Sequence, residues 1–296
     1  LVRADIPVVS TAEAARDCPG SCWWDPHTLA APPAPGVISA ETGRASFAYV
    51  ASAMEQLEQG NADAIVTGPI HKHAWQLAGI EYPGHTEFFV ERCGAERHAM
   101  LLTSPEITCA LVTTHVGLAE VSRLLTPDRI VEVIDLTGRY LSELLGRAPR
   151  MAVLGLNPHA GEQGRFGHRE EERIISPAVE TARLMGWSVD GPLSPDTAFL
   201  VERRRRTDAY ICMYHDQGLI PLKTLAFDRG VNVTLGLPII RTSVDHGPAL
   251  DLAGTHQAST GSLFAACELA VRWFTSRIQS RSSRSDPCLP AVPSRH

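Results

Sequence analysis

Three histidines in this 296-residue chain share one local setting. The apolar run from Ala110 to Thr114 ends in His115. The run from Met151 to Leu156 ends in Asn157, Pro158 and His159. The run from Ala209 to Tyr214 ends in His215, Asp216, Gln217 and Gly218. A short apolar run closed by polar residues and glycine reads as a buried strand leading into a loop. In open α/β sheets, ligands bind just past the carboxyl ends of such strands. A single histidine there is more often a loop residue with a local hydrogen bond. Three in the same topological position favour a shared task, and neutral imidazoles suit a divalent transition ion with positions left open for substrate.

Further residues carry charge or donors near these ends. Lys223 and Arg241 suit a phosphate or carboxylate, arginine as a fork and lysine as a point charge. Gly84, His85 and Thr86 place a donor pair at the mouth of a helix that starts near Glu87, where Thr86 would also serve as a plain N-cap. Asp245, His246 and Gly247, followed by Asp251 and Gly254, form a tight loop able to admit a cofactor against its backbone. No G-x-G-x-x-G follows a strand, so a Rossmann nucleotide site is not indicated.

The elements that must hold these residues alternate. Phe47, Val50, Ala51, Met54 and Leu57 share one helical face before Gly60. Residues 64–67 read as a strand, and 100–103 and 107–114 as two more around Ser104-Pro105. Thr126, Pro127 and Asp128 supply an N-cap, a first-turn proline and a first-turn acid, with Gly146 closing that helix. Helices are expected at 170–185 and 261–274. Alternation of this kind predicts a mainly parallel sheet with helices on both faces. Approximate lobes run over 1–110 with 236–275, and over 111–235. Residues 276–296, rich in Ser, Arg and Pro, are expected to be disordered.

Composition sets outer limits. Hydrophobic residues make up 44% and charged residues 20%, ordinary for a globular chain. A net charge of −6 gives no reason to expect nucleic acid or anionic membrane. No apolar run approaches spanning length. Seven cysteines, with Cys109 and Cys212 inside expected strands, read as reduced thiols of a cytoplasmic protein.

Val66-Thr-Gly-Pro69, Gly84 to Phe89 (GHTEFF), Thr113-Thr-His115, Asn157 to Glu162 (NPHAGE), Met213 to Gly218 (MYHDQG) and Arg241 to Gly247 (RTSVDHG) together resemble the 4-hydroxythreonine-4-phosphate dehydrogenase (PdxA) family of vitamin B6 biosynthesis. The resemblance runs from about Ser39 to Phe274. It implies a two-lobed α/β fold like isocitrate and isopropylmalate dehydrogenases, paired as a homodimer. It implies NAD, with NADP as a variant, and one divalent metal (Zn, Mg, Mn or Co) on His115, His159 and His215. Substrate contacts fall on His85, Thr86, Lys223, Asn232 and Arg241, and cofactor contacts on Asp245, His246, Gly247 and Asp251. The implied reaction oxidises 4-phosphohydroxy-L-threonine and decarboxylates it to 3-amino-2-oxopropyl phosphate. Asp245 and a metal-ordered water are the candidates for general base.

Departures remain. Pro248 stands where a small hydroxyl residue is usual, and the block at Gly167 to Glu170 is one residue longer. The chain starts with Leu and lacks the family's G-[DE]-P-A-G-I-G-P-E block, so an incomplete and impaired enzyme is expected. Two other readings are a sister dehydrogenase of threonate or erythronate 4-phosphate, and an inactive remnant that still binds metal and ligand.

Overall fold

The computed structural model describes residues 6–283, apart from 27, 28, 30 and 32. Its frame is a mixed sheet of eight strands: β1 (Ala64–Thr67), β2 (Ala99–Thr103), β3 (Thr108–Leu111), β4 (Arg150–Leu154), β5 (Ser188–Leu193), β6 (Ala209–Cys212), β7 (Val231–Leu235) and β8 (Ile240–Val244). They lie in the order β1-β8-β7-β2-β3-β6-β4-β5. The pair β1/β8 and the run β3/β6/β4/β5 are parallel, whereas β8/β7, β7/β2 and β2/β3 are antiparallel. The helices that cover it include α1 (Ala40–Glu58), α2 (Lys72–Leu77), α3 (His85–Arg92), α4 (Leu118–Leu124), α5 (Pro127–Leu145), α6 (Ser176–Leu184), α7 (His215–Ala226) and α8 (Gly261–Ser283). Val8–Val9 and Trp23–Trp24 pair separately as a small parallel ladder.

Local chemistry sets the helix ends. Ser39 caps α1 with a reciprocal capping box through Thr42. Thr126 accepts from the Arg129 amide, Pro127 opens α5, and Gly146 closes it at φ 67°. Strand alternation then sorts the side chains. Leu101, Ala110, Met151, Val153, Ile211 and Val233 face one way, into the largest core. Leu102, Cys109, Leu111, Ala152, Leu154 and Tyr210 face the other way, packing with Leu219 and Leu222 of α7. Farther along that second face, Ile65 packs with Val50, Met54, Trp75, Phe88 and Phe89 from α1, α2 and α3. The second face is therefore covered at both ends and open between them.

The strand register draws one row across that face. Arg241 lies beside Ile65, Met100 pairs with both Thr234 and Leu111, and Leu111 pairs with Cys212. The antiparallel middle reverses chain direction, so β1 and β8 end at one edge of the sheet. Strands β3, β6 and β4 end at the opposite edge, side by side.

Two expectations need correction. The sheet is continuous across the expected lobe boundaries, and β7 sits between β8 and β2, with the first lobe. The pairing of β7 with β2 that decides this is long-range and leaves no periodic trace. Second, α8 continues to Ser283 where disorder is expected from 276. Arg277 pairs with Glu143 of α5, which also accepts from Trp273 Nε1, and Ser276 donates to the Leu144 carbonyl. Polar composition hid a helix that is pinned through long-range ion pairing. The rest of the expected tail, 284–296, lies outside the described residues. Among the described residues, no helix is long and apolar enough to cross a membrane.

Candidate functional site

The opening on the second face is a cavity of about 430 Å³. Its floor is Met100, Asn232, Arg241 and Ser243, and its walls come from α3, from the loop after β1 and from the loop after β8. His85, Thr86, Arg241, Asn232, Asp245, His246, Gly247 and His115 all line it. Residues from three separate expected motifs, with Asn232 between them, thus meet in one place.

Arg241 is the deepest cation, only 3% exposed. Its Nη1 donates to Thr234 Oγ1 and its Nη2 to Thr67 Oγ1, at 3.0 and 2.8 Å. The guanidinium also lies over the Phe89 ring at 5.6 Å. No carboxylate reaches it within ion-pair distance among the described residues, and its Nε is buried without a partner. Burial lowers its pKa to about 10, so it stays charged at neutral pH. A buried, unpaired cation with a spare donor is costly unless an anion arrives. Asn232 Oδ1 is similarly buried and unpartnered. Burial, helped by Arg241, pushes His85 down to about 3 and keeps its ring neutral. Gly84 caps α3 without a side-chain bond, so the first amides of the helix stay available beside the cavity.

Asp245 follows β8 and pairs with Lys223 Nζ at 3.5 Å. Burial raises its carboxyl, and Lys223 works against that shift. Lys223 does not line the cavity itself; it stands behind Asp245. Asp251 lies exposed on the single turn Leu250–Leu252, also outside the lining.

His115 and His215 come together, with ring centroids 5.7 Å apart. Burial lowers His115, with Lys72 and His215 adding to the effect. His215 Nδ1 contacts Asp216 Oδ1 at 2.7 Å, which leaves Nε2 for another partner. As donors, these two imidazoles fit a divalent ion. His159 does not join them. Its ring packs against Phe166 at 6.2 Å, and Nδ1 lies 3.8 Å from Glu162. Among the described residues, no three His, Cys, Asp or Glu side chains gather closely enough to hold an ion.

The turn that carries His159 explains this. His159, Ala160, Gly161, Glu162, Gln163 and Gly164 all have positive φ. Four of them are not glycine, and each such residue costs about 1–3 kcal/mol. Side-chain direction in a left-handed stretch is not what strand-end reasoning assumes.

Lys72, Glu87, His98 and Arg129 also line the cavity and carry no assignment from the sequence. Lys72 had a signal, since it follows the end of β1 as the histidines follow theirs. Arg129 had none. It occupies the first turn of α5, where an arginine reads as solvated, yet it donates to the carbonyls of Val112 and His98.

The family model described as "Pyridoxal phosphate biosynthetic protein PdxA" matches residues 6–270. A 4-hydroxythreonine-4-phosphate dehydrogenase of Geobacter metallireducens is 53% identical over 236 residues, 80% of this chain and 69% of its own. The crystal structure of that enzyme from Klebsiella pneumoniae aligns with a TM-score of 0.79 at 38% identity, covering 91% of this chain and 82% of the other. A terephthalate 1,2-cis-dihydrodiol dehydrogenase from Burkholderia xenovorans LB400 aligns at 0.64 and 28%, covering 90% and 83%. With the family model matched over most of its length and a relative 53% identical, the chain belongs to the PdxA family of pyridoxal phosphate biosynthetic proteins.

Proposed function

We propose that this oxidoreductase oxidises the C3 hydroxyl of 4-phosphohydroxy-L-threonine with NAD and releases carbon dioxide. The product is 3-amino-2-oxopropyl phosphate, on the route to pyridoxine 5'-phosphate, and the setting is the cytoplasm. One observation carries the reading. Arg241 Nε and Asn232 Oδ1 are buried, unpartnered and set in the floor of a cavity that His115 also lines.

Arg241, with His85, Thr86 and the first amides of α3, takes the phosphate. The neutral His85 ring can donate one hydrogen bond without adding charge. Asn232 turns its amide to the substrate. Asp245 is the group best placed to accept the hydroxyl proton, because burial raises its carboxyl toward the working range. Lys223 holds that carboxylate in place and can share its charge with the phosphate. His246, Gly247 and Asp251 form the cofactor loop. NAD, when bound there, supplies the hydride acceptor. His115 and His215, with the exposed His159 side chain rotated off Phe166 while its turn stays in place, would hold a divalent ion, which supplies Lewis acidity at the C3 oxygen. Two chains pair as a homodimer.

NADH formation, followed with and without divalent metal, tests the proposal. The phosphorylated amino acid is expected to turn over, and threonate 4-phosphate to lag well behind. Faster turnover of the hydroxy acid would assign the chain to a sister activity. No NADH from either compound would overturn the reading.

A further inference from the structure

Two adjacent glutamates lie behind the histidine edge, and nothing above uses them. Glu170 is 3% exposed and Glu171 is 2% exposed. Buried carboxylates are normally paired with a cation. Among the described residues, neither has an Arg, Lys or His within ion-pair distance; both are held by neutral donors. Glu171 Oε1 accepts from the amides of Leu156 and Asn157 at 2.9 and 2.7 Å, and Oε2 accepts from Asn157 Nδ2 at 3.0 Å. Glu170 Oε2 accepts from Asn157 Nδ2 at 3.0 Å and from the His168 amide at 2.8 Å. Its Oε1 accepts from Ser122 Oγ on α4, the helix that starts three residues after His115. Burial alone would raise the Glu170 carboxyl, but these donors outweigh it and bring it down to about 2.

The surrounding backbone is shaped to this pair. A Cβ on Gly161 would lie 2.5 Å from Glu171 Oε2, and one on Gly155 would lie 3.2 Å from Oε1. The turn therefore wraps the carboxylate directly. It is also the segment whose φ values stay positive from His159 to Gly164. A backbone in that region persists only where its surroundings over-determine it. Glu171 supplies that constraint from inside the turn, and Glu170 ties the same turn to the helix behind His115.

We propose that Glu170 and Glu171 are positioning residues that lock the His159 turn to the His115 loop and so set the spacing of the histidines. The pair also places negative charge behind that edge, where a divalent cation would be compensated without touching either carboxylate. This role rests on the reading of the histidines as metal ligands.

The test titrates Co(II) alone into the metal-free full chain and reads its visible ligand-field absorption. Wild type is expected to give a band that His215→Ala abolishes. Glu171→Gln should weaken Co(II) binding by about 10–100-fold, the usual effect of losing an outer-shell partner, and shift the band. Inorganic phosphate affinity of the metal-free protein should stay within about twofold of wild type, since the Arg241 end of the cavity is untouched. Ser122→Ala removes only the link to α4 and leaves both carboxylates in place. It should fold normally and weaken Co(II) by about threefold, a fraction of the worth of one hydrogen bond to a charged group. A normal band in wild type with both variants unchanged would overturn the positioning role and leave the metal reading intact. Equal loss of Co(II) and phosphate binding in Glu171→Gln, with Ser122→Ala unchanged, would make the pair merely structural and overturn it too. If wild type gives no His215-dependent band, the metal reading falls and takes this role with it.

Discussion

Arg241 and His85 show how burial turns ordinary side chains into specific ones. Arg241 is anchored by two threonines and keeps one donor free. Arg241→Lys would replace a fork by a point charge that cannot hold Thr67, Thr234 and an anion together. We expect KM for the phosphorylated substrate to rise by about 10–100-fold, from losing charged hydrogen bonds worth about 1.5–3 kcal/mol, with kcat changed less. Steady-state kinetics check this, and a KM within twofold of wild type would refute the assignment. His85 gives a pH prediction. Its pKa is depressed from 6.5 to about 3 on folding, so the folded state favours the neutral ring. The resulting stability is complete above pH 6.5 and is lost as pH falls toward 3. Between pH 6.5 and 5 this amounts to about 2 kcal/mol. Denaturant titrations of wild type and His85→Gln should differ in slope over that window; equal slopes would mean that His85 titrates normally. Their place in the sequence was legible because each falls within a motif block, Arg241 in RTSVDHG and His85 in GHTEFF. His159 was legible as a position but not as a direction, since its left-handed backbone has no signature beyond the nearby glycines.

At the level of elements, close approach decides more than propensity. A Cβ on Gly43 would sit 2.0 Å from the Ala74 carbonyl oxygen, so α1 meets α2 backbone to backbone. Gly43→Ala must push the helices apart. We expect a loss of about 1–3 kcal/mol together with a raised KM, because α2 begins with Lys72 at the cavity wall. Thermal melts and kinetics read the two effects, and an unchanged melting temperature would count against the contact. Capped helices such as α1 and α5 were plain in the sequence, because caps and apolar spacing are local. The extension of α8 and the place of β7 were not. Glu143 with Arg277, and Asn232 with Leu102, meet across long stretches of chain.

For the whole molecule, two measurements bear on the proposed assembly and chemistry. Leu263, Phe264, Val271 and Ile278 leave an exposed apolar stripe along α8, suited to a second copy of the chain. Sedimentation should give about twice the 32.1 kDa chain mass. A single-chain mass, stable on concentration, would remove the homodimer. A chelator should abolish NADH formation, and a divalent metal should restore it. Activity that survives exhaustive chelation would remove the ion from the reaction.

The row from Arg241 through Thr234 and Met100 to Leu111 has a further consequence. Arg241 and Leu111 are three strands apart, about 14 Å at the usual lateral spacing. That interval is fixed by the backbone hydrogen bonds that join the strands. The sheet therefore fixes the lateral offset between the strand that carries Arg241 and the strand that leads to His115, and side chains reaching inward from both sides narrow that offset to the short span between phosphate and C3. A substrate longer by one methylene should still seat its phosphate, yet present the wrong carbon for oxidation. Its kcat should fall by about 100-fold, the usual cost of misplacement by an ångström or so, while its KM stays near that of the natural length.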